Sequence, residues 1–162
     1  MNLSKKEKSK LIRFLNKIEK INTVYTLDKV HQFFGKNNFI GEGSFRDVFE
    51  YKLSKKKVIV IKVSNDQDHN LSEYYRYKTI SKKNKKFFAK PLAISKKGSA
   101  LAMEKVKCSS FRRPLTNRQF TRLNSALDDE ALDVFDFDPG HNVGLRNRTP
   151  VIYDYQDLSG DF

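Results

Sequence analysis

The sequence predicts an α+β fold: a five-stranded antiparallel sheet with one helix inserted between its third and fourth strands, behind an N-terminal helical segment. Three observations predict it. Apolar residues recur at helical spacing near the start of the chain. Three strand-like runs follow, joined by a glycine turn and then a lysine turn. A later pair of apolar runs flanks a second glycine turn. At 162 residues with 38% hydrophobic content, including 13 Phe and 7 Tyr, the chain can bury one ordinary core, built as two small lobes, and is not disordered.

Taken in order, Leu11, Leu15 and Ile18, widened by Ile12 and Ile21, predict an amphipathic helix over 5–21. A second short helix is expected at 27–34, with Thr26 placed to cap it and Gly35 to end it. Both are read as bracing the body. Strands are expected at 38–41, 47–53 and 57–63, the first two joined by the Gly-rich turn and the last two by Ser54-Lys55-Lys56. A helix should follow at 70–82. Pro91–Ser95 and Ala100–Glu104, around Lys96-Lys97-Gly98-Ser99, read as a β-hairpin. Val106–Pro114 reads as a linker. A helix over 117–131 is expected, with Thr116 as N-cap and Phe120, Leu123 and Leu127 on one face; short strands and a loop should fill 134–155. The expected organisation is 1–35 helical, 36–106 sheet-bearing and 107–162 a smaller third part.

Chemistry concentrates first in Ile40-Gly41-Glu42-Gly43-Ser44-Phe45-Arg46-Asp47-Val48, followed fourteen residues later by Lys62 on the next apolar run. Glycines without a Cβ let backbone approach phosphates closely, and a lysine on a rigid strand supplies a point charge. A lone GxG is weak evidence; within strand–turn–strand and with its lysine in place it is much stronger. The second concentration is Asp136-Phe137-Asp138-Pro139-Gly140-His141-Asn142-Val143-Gly144, leading to Val151-Ile152-Tyr153-Asp154. His141 has no His or Cys nearby and reads as a loop histidine rather than a metal ligand.

These residues resemble the protein-kinase-like fold, and in wording the short kinase-like proteins encoded by bacteriophages, where an H-x-x-N-V-G-type loop leads to V-I-x-D. Gly41, Gly43 and Val48 match the Gly-rich loop G-x-G-x-x-G-x-V, with Arg46 standing where the third glycine would be. The resemblance implies a nearly complete N-lobe with one αC-type helix and a strongly truncated C-lobe. It implies Mg-ATP bound between the lobes, with Lys62 toward the phosphates and Glu73, the one carboxylate between Asp68 and Glu104, as its partner near the helix start. Met103-Glu104-Lys105-Val106 would be the adenine-contacting hinge, bonding the base through backbone groups. Asn142 and Asp154 would hold Mg²⁺ as hard oxygen ligands. The loop aspartate that orients an acceptor hydroxyl is Asp136 if the loop carries one extra residue and Asp138 if it is one short. Asp136 is favoured because an apolar residue follows it. Tyr155-Gln156 stands where such enzymes have Phe-Gly, and eight residues follow Asp154, so the elements on which peptides dock are not in view.

The implied function is a minimal ATP-dependent phosphotransferase acting on Ser/Thr or Tyr of a protein substrate. A catalytically inactive pseudokinase serving as a protein-interaction module is the alternative. A basic nucleic-acid-associated protein on this fold is third. Residues 1–107 carry 26 Lys/Arg against 10 Asp/Glu, and the last 55 carry 6 against 9. The lysine runs at 55–57, 82–83 and 85–86 read as solvated turn and helix-end residues, since no base-reading motif accompanies them. One cysteine excludes an internal disulfide framework, no apolar run nears the roughly 20 residues of a membrane span, and no signal-type apolar stretch opens the sequence. A cytoplasmic protein is expected, in the host cytoplasm if phage-encoded. No GxxxxGK[ST], CxxC, HExxH or GxSxG motif is present.

Overall fold

Leu11, Leu15 and Ile18 are fully buried on one side of the first helix, α1 (Lys5–Asn22), as their spacing predicts. The computed structural model describes residues 1–22, 27–43, 45–108, 115–132 and 142–155. It divides into two units: Met1–Tyr75 with Lys90–Lys105, and Arg76–Ala89 with Val106–Phe162. Among the described residues there are four α-helices, and none is long and apolar enough to cross a membrane.

In the first unit α1 begins on a reciprocal capping box, Ser4 N–H to Glu7 Oε2 at 2.8 Å and Glu7 N–H to Ser4 Oγ at 3.2 Å. Helix α2 (Leu27–Phe34) ends at Gly35, whose φ of +75° and N–H bond to the His31 carbonyl close it as expected. Thr26, the expected cap, lies outside the described residues. Strands β1 (Phe39–Glu42), β2 (Arg46–Ser54), β3 (Lys57–Ser64), β4 (Pro91–Ile94) and β5 (Ala100–Glu104) form one sheet in the order β1-β2-β3-β5-β4, every pairing antiparallel. The α+β class and the five strands therefore stand as expected.

Alternation gives this sheet two chemically distinct faces. Phe49, Ile61 and Ala102 are cross-strand partners, and with Ile59, Val63 and Ala100 they share one buried core with Leu11, Leu15 and Ile18 of α1 and Val30 and Phe34 of α2. Phe34 stacks on Phe49 at 4.4 Å. The opposite face carries the alternate row, Val48, Lys62 and Leu101, again as direct partners.

The helix expected at 70–82 is α3 (Gln67–Thr79). It starts three residues early because Asp66 accepts the Asp68 N–H at 3.0 Å in the manner of an N-cap. In the β4–β5 turn Gly98 has φ +96°, and a Cβ there would stand 2.6 Å from Leu71 Cγ, so both conformation and close packing require glycine.

The second unit holds α4 (Asn117–Asp129) and a three-stranded antiparallel sheet of β6 (Lys107–Cys108), β7 (Val143–Arg146) and β8 (Thr149–Ile152). Thr116 caps α4 through a full capping box with Gln119. Leu123 and Leu127 are buried as expected, but Phe120 is 39% exposed: Ala126 joins the buried set and rotates the packed face away from it. Part of the expected 106–114 linker is strand β6, paired with β7 at Gly144; the rest, 109–114, lies outside the described residues. Gly144 permits that pairing, since a Cβ would meet the Lys107 carbonyl at 2.6 Å. Asn147 and Arg148, both with positive φ, form the two-residue turn between β7 and β8.

Candidate functional site

The sheet register assembles the first group of predicted residues. Gly41 pairs with Val48, Val48 with Lys62, and Lys62 with Leu101, so glycine turn, valine and lysine form one row across β1, β2, β3 and β5. Neither Gly41 nor Gly43 has positive φ. A Cβ at Gly41 would meet nothing within 4 Å, and one at Gly43 only the Arg46 carbonyl at 3.7 Å. Among the described residues, packing thus does not demand glycine at either position. The turn is closed by the Gly43 N–H to the Arg46 carbonyl at 2.8 Å and tethered by Ser64 Oγ donating to the Phe45 carbonyl at 2.9 Å. Phe45, 54% exposed, stacks on His69 at 4.4 Å.

Lys62 is 3% exposed and its Nζ donates to both carboxylate oxygens of Glu73, at 2.9 and 2.8 Å. Glu73 is fully buried and is the seventh residue of α3, not a first-turn acid, because the helix begins at Gln67. The helix dipole therefore does not explain it; its cations do. Arg46 supplies the second, donating to Glu73 Oε2 at 2.6 Å and to Asn70 Oδ1 at 3.4 Å while only 4% exposed. Asn70 Nδ2 is buried with no acceptor among the described residues. Sequence reasoning placed Arg46 at a missing glycine and missed its partner. The available signal was parity: Arg46 and Val48 lie two apart on one strand and share the face that carries Lys62.

At the end of β5, Glu104 is 5% exposed and its carboxylate accepts from Lys90 N–H at 2.9 Å and from the Met1 amino group at 3.3 Å. Its side chain thus ties strand ends together. Val106, just past the unit boundary, is buried against the β7 backbone at Gly144.

In the second unit the β7–β8 hairpin sets Asn142 and Asp154. Asn142, at φ +60°, accepts the Tyr153 N–H at 2.8 Å through its carbonyl, extending the ladder one pair beyond Val143 and Ile152. At the open end of the hairpin, opposite the Asn147-Arg148 turn, Asn142 thus faces Tyr153, and Asp154 follows one residue further on. Tyr155 is 1% exposed; its hydroxyl donates to the Ala89 carbonyl at 2.7 Å and its ring meets Phe88 edge-on at 5.5 Å. Ala89 N–H in turn bonds the Ile152 carbonyl at 2.7 Å. Asp154 is thus held between two anchored residues, Tyr153 and Tyr155. Asn142 and Asp154 supply oxygen donors suited to a hard cation. Among the described residues no group of three His, Cys, Asp or Glu is arranged to hold a metal. Asp136, Asp138 and His141 lie outside the described residues.

Fold and site together define an α+β protein whose antiparallel sheet presents a glycine turn, a valine and a buried lysine–glutamate pair in register. No protein-family model matches the chain, and no curated protein is significantly similar to it.

Proposed function

We propose that this protein is a kinase-like phosphotransferase that binds Mg-ATP. The observation that carries the reading is the buried Lys62–Glu73 pair, held on the strand beside the glycine turn and in register with Val48. In this reading Lys62, positioned by Glu73, meets nucleotide phosphates, and Gly41 and Gly43 let the turn approach them. Val48 offers apolar contact to the base, and the backbone at Glu104 and Val106 offers it hydrogen bonds. Asn142 and Asp154 hold Mg²⁺, which supplies charge neutralisation across the phosphates. Asp136 or Asp138 orients the acceptor hydroxyl of a protein substrate. Positioning and electrostatics dominate catalysis in this class.

A nucleotide-binding pseudokinase is the second reading, favoured by Arg46. Its guanidinium takes a Glu73 oxygen at 2.6 Å at the position where the family keeps a third glycine. Incubation with γ-labelled ATP and Mg²⁺, with and without cell lysate, separates the two. Transfer abolished by both Lys62→Ala and Asp154→Ala supports the enzyme. Saturable Mg-ATP binding by calorimetry without transfer supports the module. Absence of both binding and transfer in folded protein overturns the kinase-like reading.

A further inference from the structure

The outward face of α1 is a continuous cationic surface. Lys6, Lys10, Arg13 and Lys17 are all exposed. Their i, i+4, i+7, i+11 spacing places them within about 60° of arc and along about 16 Å of a helix that turns roughly 100° and rises ~1.5 Å per residue. Leu11, Leu15 and Ile18 occupy the opposite side and are fully buried. Both acids of the helix are committed elsewhere. Glu7 pairs with Lys57 at 2.7 Å, and Glu19, 6% exposed, accepts the Lys97 N–H at 2.8 Å. The ion pairs among the described residues involve none of the four cations of the stripe. The β4–β5 turn is fastened to the flank of the helix by Lys96 N–H to Asn16 Oδ1 at 2.8 Å as well as by Glu19, which adds exposed Lys96 and Lys97 beside the stripe.

The chemistry of the surface selects among polyanions. A membrane-binding helix needs an apolar face to bury in lipid, and that of α1 is already spent on the sheet. A protein interface needs apolar or aromatic anchors and is depleted in lysine, whereas this stripe is all cation. A repeating phosphodiester chain requires only cations set at regular intervals. We propose that the outward face of α1, with Lys96 and Lys97, binds the backbone of a nucleic acid without reading its sequence. This surface does not depend on the nucleotide site.

The test is fluorescence anisotropy of the full chain with labelled 20-nucleotide single-stranded and duplex DNA across a salt titration. The variant Lys6→Gln/Lys10→Gln/Arg13→Gln/Lys17→Gln keeps good helix formers. Its slope of log affinity against log salt should be shallower than that of the unaltered chain by ~2.8 on single strands or ~3.6 on duplex. Binding at ~0.15 M salt should weaken at least tenfold. The set Lys55→Gln/Lys56→Gln/Lys82→Gln/Lys86→Gln removes equal charge outside the stripe and should change affinity less than about threefold. Lys6→Arg/Lys10→Arg/Lys17→Arg should retain binding, which separates lost charge from lost folding. Equal losses in both glutamine sets, or none in the stripe set, would overturn the proposal. So would a stripe set that loses polyglutamate or anionic vesicles while keeping DNA.

Discussion

Glu73 holds two buried cations on one carboxylate, and that arrangement ranks the consequences of removing each member. Lys62→Ala leaves Glu73 with Arg46 at 2.6 Å, so the fold should tolerate it. Glu73→Ala strands both Arg46 and Lys62 in the interior and should cost about 3–5 kcal/mol, the range for leaving a buried charge uncompensated. Arg46→Gly, which leaves Glu73 with Lys62 alone, should fall between them. Urea unfolding of the three variants checks the order; Lys62→Ala as the most damaging would contradict it. The same ranking makes Lys62→Ala a usable probe of chemistry, since its loss of transfer would not reflect collapse of the sheet. Gly98→Ala combines a φ of +96° with a 2.6 Å clash against Leu71 and should destabilise by more than about 1 kcal/mol.

At the scale of elements, the ends of helices and hairpins decide most of what the sequence hides. Glu7 has its pKa lowered to about 2, first by its hydrogen bond from Lys57 and then by those from Ser4. A carboxyl depressed in the folded state contributes stability that is complete above its ordinary value near 4.5 and is lost as pH falls toward 2. Acid titration should therefore loosen the start of α1 over that window, seen as faster amide exchange there. In Glu7→Gln the dependence should vanish. In the second unit Tyr155→Phe removes the 2.7 Å bond to the Ala89 carbonyl and should cost about 1 kcal/mol. If Asp154 is a metal ligand, that change should also raise the Mg²⁺ concentration needed for ATP binding.

Over the whole molecule, what was legible followed from periodicity. The strand-like runs at 47–53 and 57–63 were plain from their apolar content, and the structure's register then sets Val48 opposite Lys62. The buried stripe of α1 was equally plain. What escaped was set by single side-chain bonds. Polar Asp66-Gln67-Asp68 reads as loop until the Asp66 carboxylate is seen to accept from Asp68, and that shift moves Glu73 from a helix start to its middle. Arg46 read as a lost glycine because local sequence does not announce a partner twenty-seven residues away. Phe120 looked like core until Ala126 turned its helix. Under the proposed function, Mg-ATP at a hundredfold excess over its dissociation constant should stabilise the protein by about 2.7 kcal/mol. Chelating Mg²⁺ should remove most of the resulting rise in melting temperature, and Asp154→Ala should lack it from the start.

The β7–β8 hairpin also behaves as a ruler with parity. Its two-residue turn of left-handed Asn147 and Arg148 fixes which residues face each other, from Arg146 with Thr149 to Val143 with Ile152, and that count sets Asn142 opposite Tyr153 with Asp154 next in line. Deleting Leu145 together with its partner Pro150 would keep Asn142 and Asp154 at the same end but turn both arms beyond the cut to the other face of the ribbon. Deleting either one alone would shift one arm by a single residue and turn its side chains to the other face of the ribbon. Length in this segment is therefore free to vary only by two matched pairs at a time, a constraint on how related sequences can drift that no inspection of Asn142 and Asp154 alone would disclose.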